Sequence, residues 1–213
     1  MVDPLVLLTF IPAALLLNLT PGPDMMFCLG QGLRYGKRAA FAASGGVSMG
    51  GLVHVFLAGL GLSTAIAALP YALDVIRWIG VVYLLWLAWS SWGVRTSVKD
   101  STRDAVSLTP TRAFWQGLVV NLTNPKFIFF VLAFLPQFVD GNRGSVLGQF
   151  LILGLVIGFG GFLINGMIGV MSGVFSQKLG RGGRAGLILS RISALIFVGL
   201  AIRLVWMEKG ALL

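Results

Sequence analysis

The sequence predicts an all-α integral membrane protein whose six transmembrane helices form two inverted repeats of three helices. Of its 213 residues, 57% are hydrophobic and only 11% are charged, and the mean hydropathy is +0.91. A soluble domain has about 25% charged and about 45–50% apolar residues, so a soluble enzyme or binding domain is excluded. Long apolar runs also differ from the alternating pattern of a transmembrane β-barrel.

The first three spans follow from the spacing of charges. The first covers about 4–29, and its only charged residue lies in its second half. The second lies within about 40–68, in an uncharged stretch that extends from Arg38 to Asp74. The third fits within 77–95 and is rich in tryptophan, which is typical of a membrane interface.

The last three spans are defined in the same way. The fourth covers about 114–138 and is interrupted only by Lys126. The fifth lies in the uncharged run 144–177. The sixth covers about 186–207, and its two arginines lie near enough to its ends to reach the interface. The whole chain, 1–213, is therefore expected to be one transmembrane domain with repeats at about 1–100 and about 106–213.

The basic residues predict the orientation of these spans. Loops 1–2, 3–4 and 5–6 carry 11 Lys and Arg, whereas the opposite side carries 4. Because basic residues concentrate in cytoplasmic loops, these three loops are expected in the cytoplasm and both termini outside. The same bias explains the net charge of +9 without a nucleic-acid partner. The acidic start MVDPL favours a retained first helix over a cleaved signal peptide.

Two classes of site are excluded by composition. The single cysteine, Cys28, and the single histidine, His54, cannot build a disulfide or a metal cage. The sequence has no GxxxxGK[ST] loop for a nucleotide. No metal and no cofactor are therefore expected.

A repeated motif indicates where a binding site would lie. The first span contains Asn-Leu-Thr-Pro-Gly-Pro-Asp from Asn18, and the fourth contains Asn-Leu-Thr-Asn-Pro-Lys from Asn121, an offset of 103 residues. Three helices in each half require that the halves insert in opposite orientations. Helix breaks at corresponding positions of inverted repeats are typical of the binding site of a secondary transporter.

The first break is predicted at Pro21, Gly22 and Pro23. Two prolines remove two backbone donors inside a span, which either produces a simple kink or opens irregular backbone onto a cavity. Asp24 follows directly. The dipole of a new helix favours an acid in its first turn, but a carboxyl group in a span is costly unless it is paired or protonated. This second property suits a site that carries protons.

The second break is predicted at Asn124 and Pro125, as helix cap and first helical residue. Lys126 then lies in a first turn, where the helix dipole disfavours a cation. The alternatives are a receptor for a carboxylate and a salt bridge to Asp24 without a substrate role. In simple helices Lys126 lies near mid-span and Asp24 closer to the cytoplasm, so contact between them requires that residues 20–23 unwind.

The other polar and small residues of the spans have structural interpretations. His54 is expected to be a packed, hydrogen-bonded histidine, with a proton relay as the alternative, and Cys28 a packing residue. Small residues four apart favour close helix packing. The glycines concerned are Gly46, Gly50, Gly154 and Gly158. The groups expected mainly to join helices are Ser44, Ser48 and Asn165, and Thr20 and Thr123 can do the same. For the asparagines beside the breaks, a contact between helices and a contact with ligand are both open. The predicted site for substrate and protons consists of Asn18, Pro21, Gly22, Pro23, Asp24, Asn121, Asn124, Pro125 and Lys126.

The motifs Asn-Leu-Thr-Pro-Gly-Pro-Asp and Asn-Pro-Lys resemble those of the lysine-exporter (LysE/RhtB) family. Further residues that share this resemblance are Gly36, Gly45-Gly46, Gly61, Tyr83-Leu84 and Pro136-Gln137-Phe138. The resemblance covers nearly the whole chain. It implies export of amino acids or related metabolites across a bacterial inner membrane, driven by the proton gradient, and members of the family differ in substrate.

The sequence thus predicts a secondary transporter and not an enzyme. Its expected partners are a small-molecule substrate, protons and membrane lipid, with a homo-oligomer left open. The remaining alternatives are a passive channel and a membrane-embedded enzyme or assembly subunit. A channel would not saturate, and an embedded enzyme would normally need paired carboxylates, a His cluster or a Ser/Lys dyad, none of which is evident.

Overall fold

The computed structural model describes residues 2–68 and 108–172, with isolated positions within 78–92 and 191–206. Regular structure in this part of the chain is helical, as predicted. The predicted third and sixth spans lie mostly outside the described residues, although the positions described within 78–89 and 191–206 have helical backbone.

Six α-helices belong to the described part of the chain. The predicted fourth span does not end as an α-helix: a π-helical turn covers Phe130–Phe134 and a 3₁₀ turn covers Leu135–Phe138. A further 3₁₀ turn covers Gly141–Arg143. The helices are α1 (Pro4–Leu19), α2 (Pro23–Tyr35), α3 (Lys37–Ala68), α4 (Pro110–Leu122), α5 (Pro125–Phe129) and α6 (Val146–Val170).

Two of these elements are long and apolar enough to cross a membrane alone: Lys37–Gly61 of α3, and α6. Two bent pairs reach the same length and composition if each counts as one span. The α1–α2 pair bends by 53°, and the pair formed by α4 and Pro125–Phe138 bends by 55°. The described residues therefore contain two to four candidate spans, and both predicted breaks are present.

Local sequence explains where the helices begin and end. Asp3 caps α1, because its Oδ1 accepts a hydrogen bond from Leu5 N at 2.9 Å. Thr109 and Ser145 cap α4 and α6 with their hydroxyl groups. Proline is the first residue of α1, α2, α4 and α5, a position whose N–H group has no helical partner.

The long helix α3 forms the centre of the described bundle. It packs along α4 in parallel, where Gly46 lies against the backbone of Phe114 and Gly50 against Asn121. It packs along α6 in the antiparallel direction, where Gly154 lies against Val55. The close helix packing predicted from these glycines is confirmed.

The two broken segments run in opposite directions. Along their interface Asp24 of α2 contacts Asn121 of α4, whereas Gln31, further along α2, contacts Gln116, earlier on α4. Opposite directions and similar bends are what an inverted repeat requires, and the repeat of three helices in each half stays a prediction.

The described charges divide between two ends of the bundle. The end at which α2 ends and α3 and α4 begin, here called the basic face, carries Arg34, Lys37, Arg38 and Arg112. The opposite face carries Asp3, Asp140 and Arg143. There Arg143 pairs with both acids, and the Leu5 N–H group and the Arg143 guanidinium hold the pKa of Asp3 below its usual value.

Close packing at Gly46 makes a testable prediction. A Cβ atom on Gly46 would overlap the carbonyl oxygen of Phe114, so Gly46→Ala is expected to separate α3 from α4 and to destabilise the fold by about 1–3 kcal/mol. The matched control is Gly30→Ala, because a Cβ atom there has no neighbour within 4 Å. Melting temperatures in detergent test the difference, and equal melting of the two variants would contradict the packing.

Candidate functional site

The first break has the local structure predicted for it. α1 ends at Leu19, and the prolines at 21 and 23 cannot supply the N–H groups that would continue it. Gly22 is the cap of α2, Pro23 its first residue, and Asp24 lies in its first turn. Thr20 donates its hydroxyl to the carbonyl of Leu16 at 2.6 Å, a contact within its own helix.

The second break is built in the same manner. Asn124 caps α5 by accepting a hydrogen bond on its side chain from Lys126 N at 3.1 Å, and Pro125 is the first helical residue. Asn124 is 1% exposed, and its Nδ2 makes no hydrogen bond of full geometry but interacts with the nearby Asp24 carboxylate. A buried donor is thus held close to the Lys126 backbone.

The Lys126 ammonium joins the two breaks. Its Nζ donates to the carbonyl of Leu17 at 3.2 Å and to that of Thr20 at 2.9 Å. A cation at the carbonyl end of α1 is favoured by the helix dipole, so the unfavourable position of Lys126 in its own helix is offset by its contact with another. A Cβ atom on Gly22 would lie 3.0 Å from this Nζ, so the glycine leaves room for the ammonium.

Asp24 has a different set of partners. It is 7% exposed, and its Oδ2 accepts a hydrogen bond from Asn121 Nδ2 at 2.9 Å. Its Oδ1 makes no hydrogen bond of full geometry, although the Asn124 amide lies close enough to interact with the carboxylate. Asp24 and Lys126 influence each other electrostatically, but no salt bridge joins these two described side chains. Residues 20–22 between α1 and α2 are not helical, and the Lys126 ammonium reaches Gly22, two residues before Asp24.

A small pocket that contains several polar side chains lies between the six helices α1 to α6. Its volume is about 10 Å³, which is the space that one water molecule needs. Three of its side chains each carry a buried oxygen without a partner: Asp24 Oδ1, Asn121 Oδ1 and Asn165 Oδ1. The residues that line it are Asn18, Asp24, Val47, Ser48, Gly51, Asn121, Phe127, Ile157, Gly158, Gly161 and Asn165.

The structure separates the predicted site residues into groups. Asn18, Asp24 and Asn121 line the pocket. Pro21, Gly22, Pro23 and Pro125 shape the breaks and do not line it, while Lys126 and Asn124 lie beside it at the second break. Among the described residues, no group of three His, Cys, Asp or Glu side chains could hold a metal ion.

The contacts of four residues in or near the pocket can be compared with the sequence-based interpretation. Asn165 was expected mainly to join helices, yet it lines the pocket with an unpartnered oxygen. Ser48 does both, because it lines the pocket and donates to the carbonyl of Gly158 at 2.9 Å. His54 is packed as expected, with Nε2 3.3 Å from the carbonyl oxygen of Asn121. Phe127 supplies an apolar wall that no polar motif could indicate.

Comparison with known proteins places the sequence in a family. The family described as LysE type translocator matches residues 15–208. The chain is 31% identical over 209 residues to a leucine efflux protein of Klebsiella pneumoniae, with 95% of each chain covered. It is 32% identical over 204 residues to a leucine efflux protein of Enterobacter sp., covering 92% of this chain and 93% of the relative.

A further relative carries a different substrate name. The chain is 34% identical over 140 residues to a homoserine/homoserine lactone efflux protein of Salmonella typhimurium, covering 66% of this chain and 67% of the relative. No solved structure matches the chain. These relatives are named as efflux proteins and not as enzymes, in agreement with the prediction. Because the family match extends over most of the sequence, the chain belongs to the LysE type translocator family.

Proposed function

We propose that the protein is a secondary transporter that exports an amino acid or a close derivative across the bacterial inner membrane by proton antiport with alternating access. The family supports a translocator, and the names of the relatives support leucine, homoserine or a similar amino acid as substrate. The pocket at the two helix breaks is the proposed site for substrate and proton.

The observation that carries this proposal is the set of unpartnered acceptors in the pocket. Three side chains, Asp24, Asn121 and Asn165, each carry a buried oxygen that lacks a donor. An ammonium group has three N–H donors and no acceptor, so the α-ammonium of an amino acid complements them. A proton on Asp24 neutralises the same carboxylate, and competition between the two couples substrate to proton flux.

The carboxylate of the substrate needs donors on the other side of the site. The Lys126 ammonium and the Asn124 Nδ2, which interacts with the Asp24 carboxylate in the described state, are both held at the second break. In the described state two hydrogen bonds direct the ammonium to α1. We infer that the ammonium turns to the substrate carboxylate when the pocket opens, and that its release from α1 is part of the opening.

The size of the pocket supports alternating access. A space of about 10 Å³ holds a water molecule but not an amino acid. The described state is therefore closed around a small site, and the helices that form its walls must separate for substrate to enter. Movement of one half of a transporter against the other around a central site is the usual way to achieve this.

The proposed topology has six spans in one domain, 1–213, with repeats at about 1–100 and about 106–213. The basic face would lie in the cytoplasm together with loops 1–2, 3–4 and 5–6, and both termini would lie outside. Four described basic residues and no described acid at that face support this orientation. Assembly into a homo-oligomer is compatible with this topology.

Uptake of radiolabelled leucine and homoserine into everted membrane vesicles tests the function. Everted vesicles present the cytoplasmic face outward, so an exporter driven by protons accumulates substrate inside while the interior is acidic. We expect saturable uptake of at least one probe, its loss on addition of a protonophore, and its absence from vesicles that lack the protein.

Counterflow separates the proposal from a passive channel. A carrier loaded with unlabelled substrate exchanges it for external label even after the proton gradient is collapsed. Flux that does not saturate and shows no counterflow would identify a channel instead. Absence of both net transport and counterflow for the two probes would reject an amino-acid substrate of this class.

A further inference from the structure

A pair of amide side chains joins α2 to α4 between the pocket and the basic face. Gln31 Nε2 donates to Gln116 Oε1 at 3.3 Å. Gln31 is 7% exposed, and its own Oε1 has no hydrogen-bond partner. A buried amide oxygen without a donor destabilises the state in which it is found, so packing alone does not account for this residue.

The position of Gln31 relates it to the pocket. It follows Asp24 by seven residues, which is two helical turns along the same face of α2 and about 10 Å of rise. Cys28 lies between them, fully buried, in a cluster with Ala39, Ala43 and Ala113. From the pocket towards the basic face, the interface of α2 with α4 thus presents the carboxylate, the thiol and then the amide pair.

On its other side, α2 packs directly against α6 at the level of the Gln31–Gln116 pair. A Cβ atom on Gly32 would overlap the carbonyl oxygen of Gly169 in α6, and a Cβ atom on Gly169 would lie 2.8 Å from the carbonyl oxygen of Cys28. Helices α2 and α6 therefore touch beside the amide pair, and the described state leaves no space there for a substrate to pass.

A different kind of barrier lies towards the opposite face. Four buried phenylalanines from α1 and from the turns after α5 contact one another in series, with neighbouring ring centroids 4.8–5.0 Å apart and the rings tilted or edge-on. They are Phe10, Phe130, Phe134 and Phe138. Separation of this aromatic cluster exposes much apolar surface, whereas separation of the glutamines breaks one neutral hydrogen bond and opens a cluster of smaller side chains around Cys28 and Ala113. The pocket should open more readily to the basic face.

We propose that the Gln31–Gln116 pair is the gate between the Asp24 pocket and the basic face, and that its two amides line the passage once they separate. This proposal rests on the proposed transport function, because a gate has a role only if the pocket binds a transported substrate. In the open state water or substrate supplies the donor that Gln31 Oε1 lacks in the closed state. Loading from the basic face is the step with which an exporter begins.

The native Cys28 provides a reporter, since it is the chain's single cysteine, is fully buried and precedes Gln31 by about one helical turn on the pocket side. The experiment measures the rate at which a membrane-impermeant methanethiosulfonate reagent modifies Cys28 in everted and in right-side-out vesicles, with Cys28→Ser as the blank. Gln31→Ala removes the hydrogen bond and the side-chain volume, and we expect modification about two- to tenfold faster, the factor that corresponds to one neutral hydrogen bond.

A second variant must act in the opposite direction. Gln31→Leu combined with Gln116→Leu replaces the amides by apolar groups, which favours the closed state, so we expect slower modification of Cys28 and slower transport. The control is Ser44→Ala, which removes a hydrogen bond of 2.7 Å to the carbonyl of Phe162 between α3 and α6. It should leave the rate unchanged.

The outcomes separate the gate from the function. Faster modification in Gln31→Ala and slower modification in the leucine pair, both from one membrane face only, support the gate. Equal rates in these variants and the wild type would overturn it, even if leucine or homoserine transport is present. Absence of transport with the expected change in modification rates would instead count against the proposed function and leave the gate supported.

Discussion

Asp24→Asn is expected to abolish proton-coupled export and to lower the apparent affinity for substrate by about 10- to 100-fold. The substitution keeps the size of the side chain and removes its charge. A hydrogen bond between charged groups contributes about 1.5–3 kcal/mol, and the variant loses this contribution to the substrate ammonium. It also loses the group that would carry the proton. Proton-driven uptake of leucine and homoserine into everted vesicles measures the first effect, and the concentration dependence of counterflow without a proton gradient measures the apparent affinity.

The controls for Asp24→Asn separate the site from the scaffold. Ser44→Ala removes a hydrogen bond between helices that contributes about 0.6 kcal/mol, and it lies outside the pocket, so transport should be retained. Detergent size-exclusion profiles should be the same for both variants and the wild type. Full proton-coupled transport by Asp24→Asn would exclude this carboxylate from both roles.

Lys126→Gln is expected to abolish transport and also to lower thermal stability. The ammonium contacts two carbonyls at the end of α1, and a shorter neutral side chain leaves them without this partner. Loss of a partner for buried polar groups costs about 1–3 kcal/mol. Vesicle uptake and melting temperature in detergent measure the two effects.

The double variant of Asp24→Asn with Lys126→Gln tests how the two charges act. If they formed only a structural salt bridge, joint neutralisation would restore the transport that each single variant loses. The described geometry gives them separate hydrogen-bond partners, Asn121 for one and the α1 carbonyls for the other. We therefore expect no recovery of transport. Recovery in the double variant would reduce both residues to a structural ion pair.

The positions of the helix breaks could be predicted from the sequence because they depend on local chemistry. Proline lacks an N–H group wherever the chain folds, and an asparagine before proline is a suitable helix cap. Pro21, Pro23 and Pro125 therefore located the breaks correctly, and Asn124 and Gly22 the caps. The close packing of α3 at its glycines could be predicted equally well, since small residues four apart favour close helix packing.

Tertiary contacts could not be predicted in the same way. Lys126 was considered as a carboxylate receptor or as the partner of Asp24, but its contact with the α1 carbonyls depends on the way the two broken segments cross. Asn165 and Gln31 were harder still, because an isolated amide in an apolar run gives no signal that separates a pocket residue from a contact between helices. Their burial and their unpartnered oxygens became evident only in three dimensions.

Proton release on substrate binding tests the central claim most directly, namely that the substrate ammonium and a proton compete for Asp24. Leucine or homoserine is added to the purified protein in a weakly buffered detergent solution that contains a pH indicator. The account predicts acidification with the wild type and with Ser44→Ala, and none with Asp24→Asn. Equal acidification by the wild type and Asp24→Asn, or saturable binding to the wild type without any proton release, would contradict it.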